Sequence, residues 1–143
     1  MESRTKQGLG RSRGGLTTKV HLRVDGLGDP QQVILTPGQV HDITQAPALM
    51  KEVDVEITIA DKGYDSETFV KALESKEIEV VIPSRKNRKE PRDYDKHWYK
   101  MRNIVERTFN WLKRYRRIAT RYEKTGQNFL GFFQLGCVMM LLR

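Results

Sequence analysis

A carboxylate and two cations recur at helical spacing between Tyr99 and Lys113. The stretch contains neither proline nor glycine, and most of its residues tolerate a helix. At about 100° per residue, one narrow stripe of that helix would carry four side chains, those of Tyr99, Arg102, Glu106 and Lys113. A polar stripe beside a buried face lets a helix hold a carboxylate in a cleft that still reaches solvent. The alternative is a solvated helix surface, the commoner reason for Glu and Lys at this spacing.

A second candidate acid, Asp61, stands where a short apolar strand is predicted to end, over residues 56–60. Gly63 follows two residues later, so an aspartate that only stabilises a turn is the alternative interpretation. The three histidines and Cys137 lack the spacing of a zinc site.

The net charge of +8 is spread unevenly over the 143 residues. Residues 1–23 carry +5, residues 24–83 carry −8 and residues 84–124 carry +10. A basic block around the candidate site favours a polyanionic partner such as nucleic acid over a merely solubilising surface. The single cysteine, Cys137, excludes an internal disulfide and fits a reducing cytoplasm. The apolar stretch 129–142 is shorter than the about 20 residues that span a bilayer, so no membrane partner is expected.

Hydrophobic periodicity predicts the elements that must position these side chains. Residues 1–15 are polar, glycine-rich and basic, and they predict a flexible arm. Strands are predicted over residues 16–25, 32–36, 56–60 and 78–82, the first two as a hairpin. Helices are predicted over residues 42–52, 65–76, 96–117 and 128–142. This order is typical of a layered α/β domain.

Taken together, these stretches resemble the DDE transposases of bacterial insertion sequences. The matching group is the insertion-sequence-five type, which carries the Tyr-Arg-Glu-Lys signature. Further family-like stretches lie at residues 10–19 (Gly-Arg-Ser-Arg-Gly-Gly-Leu-Thr-Thr-Lys), 36–39, 41–42 and 116–122. The resemblance runs from about Leu9 onward. It implies a ribonuclease-H-like fold, an α/β mixed sheet with flanking helices, over residues 16–143.

The resemblance implies roles for the candidate residues. Asp61 and Glu106 match the second and third catalytic acids, which would help hold two Mg²⁺ ions about 3.5–4 Å apart. Their carboxylates are then expected about 4–7 Å from each other. Arg102 and Lys113 would bind DNA phosphates beside the scissile bond. Tyr99 would stack on a base, fix a phosphate through its hydroxyl, or close the edge of the core.

The first catalytic acid of the family has no counterpart here. In the family it lies on a strand before the Gly-Arg-Ser-Arg-Gly-Gly stretch, whereas residues 1–9 contain no aspartate. Asp25 is the nearest acid, but it falls in the predicted hairpin turn. We therefore interpret the chain as the carboxy-terminal part of a transposase without its first strand. It would come from a truncated gene or from the second of two overlapping reading frames.

The leading functional hypothesis is a transposase fragment for metal-dependent DNA cleavage and strand transfer that needs an upstream segment. Its partners would be double-stranded DNA at transposon ends and an upstream-frame product or a second copy, in the bacterial cytoplasm at the nucleoid. One alternative is a catalytically inactive basic DNA-binding or regulatory protein. Another is a separate metal-dependent nuclease of the same fold, which would also need a third acid.

Overall fold

The computed structural model describes residues 6–143, which form two units. One unit combines the chain up to Val40 with Ile104–Arg143, and the other is the contiguous segment His41–Asn103. The strands are β1 (Gly10–Ser12), β2 (Gly15–Val24), β3 (Pro30–Pro37), β4 (Ile57–Ile59) and β5 (Glu79–Val81). The helices are α1 (Ala46–Leu49), α2 (Glu67–Glu74), α3 (Lys96–Tyr99), α4 (Asn103–Leu112), α5 (Arg116–Ala119) and α6 (Gly126–Leu141). The predicted α/β class is confirmed.

The sheet of the first unit is antiparallel, in the order β1-β2-β3. Strands β2 and β3 form the predicted hairpin, with Thr18 opposite Pro37 at one end and Val24 opposite Pro30 at the other. Strand β1, which no periodicity predicted, falls inside the predicted arm, and Gly10–Ser12 pairs there with residues 15–17 of β2. Residues 1–5 of that arm lie outside the described part of the chain.

Asp25 organises the turn of this hairpin. Its Oδ1 accepts hydrogen bonds from the backbone N–H groups of Leu27 and Asp29, at 2.9 and 3.0 Å. Its Oδ2 accepts one from the Gln31 amide at 3.2 Å. Gly28 closes the turn at φ +89°, a conformation that side chains disfavour. Both carboxylate oxygens of Asp25 therefore serve the turn.

The hairpin packs against the helices of the same unit through one apolar core. Its buried members lie on α4, α5 and α6 and are Leu112, Ile118, Phe133 and Met140. Half-buried Cys137 packs beside them, and burial raises the pKa of its thiol. Helix α4 is fixed to the hairpin turn by buried Thr108, whose hydroxyl donates to the Gly28 carbonyl at 2.7 Å. That contact holds the part of α4 that carries Glu106.

The single long helix predicted over residues 96–117 is wrong. The chain forms α3, a 3-10 turn at Lys100–Arg102, then α4 and α5. Tyr115 is extended between α4 and α5, at φ −80° and ψ 117°. This break lets Leu112 and Ile118 both enter the core. Because a 3-10 turn winds three residues per turn, the signature side chains do not follow one straight stripe.

The second unit contains a β-α-β arrangement, in which parallel strands β4 and β5 are joined by α2. Helix α2 begins after Ser66, whose hydroxyl accepts a hydrogen bond from the Phe69 N–H. It buries Val70 and Leu73, and β5 contributes Val81 to the interior. Because the strands are parallel, the residues that follow β4 and β5 emerge at the same edge of the sheet. Among residues 6–143, no helix is long and apolar enough to cross a membrane.

Candidate functional site

Asp61 follows β4 and is the N-terminal cap of a 3-10 turn, Lys62–Tyr64. Its Oδ1 accepts the Gly63 N–H at 2.8 Å, and its backbone carbonyl accepts the Tyr64 N–H at 3.0 Å. Its Oδ2 accepts no hydrogen bond from the residues that the structure describes. Asp61 is therefore both a turn residue and a carboxylate with one oxygen available at the carboxyl end of a parallel strand, where α/β sheets bind ligands.

A second acid, Asp42, lies beside the same turn. A methyl group placed on Gly63 would lie 2.8 Å from Asp61 Oδ1 and 2.9 Å from Asp42 Oδ2. Burial, together with the charges of Asp42 and Asp61, raises the pKa of Tyr64 to about 12. Because Gly63 has no side chain, oxygen atoms of both carboxylates can approach this turn closely. Carboxylate oxygens are hard ligands of the kind that Mg²⁺ prefers.

Asp65 connects this turn to the basic loop that follows β5. Its side chain is 2% exposed and accepts the Arg85 N–H at 2.8 Å. Arg88 and Arg92 form ion pairs with its Oδ1 at 3.2 and 3.0 Å, and both also pair with Glu67. Burial by itself would raise the pKa of Asp65. The Arg85 N–H and the two guanidinium groups outweigh burial and lower that pKa.

Asp65→Asn should lower the free energy of unfolding by about 2–3 kcal/mol at pH 7, because two partly buried guanidinium groups lose their shared anion. A lowered folded-state pKa contributes stability above the unfolded-state pKa of about 3.9, and that contribution is lost as the pH falls through the folded-state value. The difference between the two proteins should therefore shrink below about pH 4. Urea unfolding from pH 2 to pH 7 measures it.

Asp54→Asn is the matched control, since Asp54 is exposed and its side chain has no partner among the described residues. It should change the unfolding free energy by less than about 0.5 kcal/mol at every pH. An Asp65→Asn difference that stays constant down to pH 2 would contradict the role given to the Asp65 charge.

Glu106 and Lys113 line one open cleft of the first unit, about 960 Å³ in volume. Both side chains are exposed. One wall is apolar and belongs to the core, and the rim is polar, with Thr17, Thr18, Asn110, Thr120, Arg121 and Lys124. The structure therefore brings together one predicted acid and one predicted cation.

Glu123 lines the same cleft, and sequence patterns gave no signal for it. Its side chain is 6% exposed, and its Oε1 accepts a hydrogen bond from Arg117 at 2.9 Å. Its Oε2 is buried with no hydrogen-bond partner among the described residues. A buried acceptor without a donor is costly.

The other predicted site residues belong to the second unit. Tyr99 is half-buried at the end of α3, and its ring packs edge-on against Tyr94 at 5.5 Å. Arg102 is half-buried in the 3-10 turn. No group of three or more His, Cys, Asp and Glu side chains that could hold a metal ion occurs among residues 6–143. The expected distance between the Asp61 and Glu106 carboxylates stays a prediction.

Comparisons with known proteins agree on one family. The profile of the transposase DDE domain matches residues 2–141. A Brucella ovis protein, named for the transposase of insertion sequence element IS6501, is 39% identical over 131 residues, which cover 90% of this chain and 100% of that protein. A Burkholderia cepacia protein, named for the transposase of insertion sequence element IS402, is 32% identical over 135 residues, 86% of this chain and 62% of that protein.

The transposase for insertion sequence element IS1106 from Neisseria meningitidis is 29% identical over 107 residues, 71% of this chain and 37% of that protein. The chain thus spans less than two thirds of the Burkholderia and Neisseria relatives. No solved structure gives a significant match. Because the family profile covers nearly the whole sequence, this chain belongs to the transposase DDE domain family of insertion-sequence transposases.

Proposed function

We propose that this chain, together with an upstream segment, carries out metal-dependent DNA cleavage and strand transfer during insertion-sequence transposition. The observation that carries the proposal is the cleft that both Glu106 and Lys113 line. A carboxylate and a cation in one cleft suit phosphodiester chemistry, because one group can help hold a metal ion while the other binds a phosphate. Membership of the family supports the same assignment.

In this proposal Asp61 and Glu106 are the chain's metal-binding acids. Carboxylate oxygens such as Asp61 Oδ2 are the hard ligands that a divalent cation such as Mg²⁺ prefers. When bound, the metal supplies charge neutralisation on the attacking and leaving oxygens. The chain's own contribution is to fix Asp61 through the Gly63 N–H and to hold Glu106 on a helix that is anchored by Thr108.

We further propose that residues 16–143 are a ribonuclease-H-like catalytic domain that lacks its first strand. An antiparallel hairpin followed by a parallel β-α-β arrangement supports this assignment. The missing third acid would come from a segment outside these 143 residues, on the same polypeptide or on a partner. Asp25 is a poor substitute, since both of its oxygens accept hydrogen bonds in the hairpin turn. The site of action would be the bacterial nucleoid.

Double-stranded DNA is the proposed partner, and the chain should bind it without sequence preference. The affinity should fall steeply with salt, because cations of the block 84–124 displace counterions from phosphates. Replacing Arg102 or Lys113 by alanine should weaken binding equally on all sequences. Each replacement should also make the negative slope of log K against log salt shallower by about 0.9. Fluorescence anisotropy from 50 to 200 mM salt measures both quantities.

Lys51→Ala is the control, because Lys51 is an exposed cation of the acidic segment and should leave the slope unchanged. Tight, salt-insensitive binding to one sequence would contradict the proposed phosphate contacts. The direct test of function is nicking of insertion-sequence end DNA with and without Mg²⁺. Salt-sensitive binding without metal-dependent nicking, even with the upstream segment supplied, would favour the alternative of a regulatory DNA-binding protein.

A further inference from the structure

Arg85 forms hydrogen bonds with the turn that Asp61 caps. Its guanidinium donates from Nη2 to the Gly63 carbonyl at 3.0 Å and from Nε to the Lys62 carbonyl at 3.3 Å. Its own backbone N–H donates to Asp65 at 2.8 Å. The side chain of Arg85 therefore cross-links the residues after β5 to the residues after β4.

This cross-link acts close to the candidate metal-binding atom. The N–H that holds Asp61 Oδ1 belongs to Gly63, whose carbonyl is one of the two that Arg85 binds. The peptide groups on both sides of Gly63 are thus fixed by two side chains, that of Asp61 after β4 and that of Arg85 after β5. Asp65, anchored in turn by Arg88 and Arg92, holds the backbone of Arg85 in place.

We propose that Arg85 is a positioning residue for the Asp61 carboxylate, an inference that rests on the proposed metal-binding role of Asp61. The guanidinium holds the 3-10 turn in the conformation in which the Gly63 N–H donates to Asp61 Oδ1. Asp61 Oδ2 is then left to bind the metal. Partners that orient metal-binding carboxylates are expected to change metal affinity strongly, although they never touch the ion.

The direction in which metal affinity changes when Arg85 is removed distinguishes a positioning role from an effect of its charge alone. A cation near a metal site repels the metal ion, so losing the Arg85 charge alone would strengthen binding. If Arg85 acts by orienting Asp61, its loss weakens binding. Lys86 offers a matched comparison. It is the next residue of the same loop, is exposed, and makes no hydrogen bond or ion pair to the turn among the described residues.

The first experiment needs no metal. Solvent exchange of the Gly63 amide proton in the ¹⁵N-labelled 143-residue chain reports its hydrogen bond to Asp61. In Arg85→Ala this exchange should become at least about fivefold faster, because the turn opens more often. Lys86→Ala should leave it unchanged, and Arg85→Lys should lie between the two. Equal exchange rates in Arg85→Ala and Lys86→Ala would overturn the inference.

The second experiment titrates Mn²⁺ and follows paramagnetic broadening of the Gly63 and Tyr64 amides. Arg85→Ala should weaken Mn²⁺ binding about tenfold, while Lys86→Ala should leave it unchanged or slightly stronger. An Arg85→Ala chain that binds Mn²⁺ as tightly as wild type would overturn the inference even if Asp61→Asn abolishes binding. Broadening that survives Asp61→Asn would instead overturn the metal role of Asp61, and the exchange rates would still decide whether Arg85 holds the turn.

Discussion

Glu106→Gln should abolish nicking of insertion-sequence end DNA, lowering the rate by at least about a thousandfold. The substitution keeps the size of the side chain and removes its charge, so a metal ion would lose one of its few anionic ligands. A thousandfold loss corresponds to about 4 kcal/mol of transition-state stabilisation, which is in the range that a metal ion supplies. The assay is nicking of a labelled duplex in Mg²⁺ or Mn²⁺.

The same assay tests where the third acid comes from. We expect little or no nicking by the 143-residue chain alone, and activity when an upstream segment with a strand and an aspartate is restored. Glu106→Gln is introduced into that active protein, with Glu74→Gln as control, because Glu74 is also an exposed helical glutamate. Robust nicking by the chain alone that Glu106→Gln removes would mean that an acid within these residues completes the site.

Phe133→Ala should lower the free energy of unfolding of the first unit by about 3–5 kcal/mol. Phe133 is 2% exposed on α6, and its ring lies edge-on to Phe109 and Phe129 at 6.4 and 6.5 Å. Removing it leaves a cavity between α6 and α4 that the surrounding side chains cannot close. Since small domains are stable by only about 5–15 kcal/mol, such a loss would leave the unit marginal.

Urea unfolding followed by tryptophan fluorescence measures this loss. Trp111 packs against the same core, and a Trp98→Phe background makes it the only tryptophan. Leu142→Ala is the control, because Leu142 is 78% exposed just after α6 and should cost less than about 0.5 kcal/mol. If Phe133→Ala lowers the free energy of unfolding by less than about 1 kcal/mol, α6 does not pack on the hairpin core through Phe133.

The elements fixed by local patterns could be predicted from the sequence. Alternating residues indicated β2, the turn after it indicated the return strand β3, and short apolar runs over residues 56–60 and 78–82 indicated β4 and β5. The break after Leu112 could not be predicted, because no proline or glycine marks it. It follows from packing against α6, which begins more than ten residues further along the chain.

The candidate site was predictable only in part, because some of its contacts join residues that are far apart in the sequence. The spacing of Glu106 and Lys113 anticipated that they would share a cleft. The role of Asp65 had no signal in the sequence, because its side chain binds groups 20 to 27 residues away. The contact of Arg85 with the Asp61 turn spans a similar separation. Such contacts leave no periodic signal in a single sequence.

The discontinuous first unit has a consequence for how the chain is synthesised. Thr18 accepts a hydrogen bond from Arg121, 103 residues later, and Gln7 accepts one from Gly126, 119 residues later. At about 5–20 residues per second, the nascent hairpin waits roughly 5–20 s for α6 to leave the ribosome. During that time its apolar face stays uncovered and open to chaperones, while the contiguous segment His41–Asn103 can already fold.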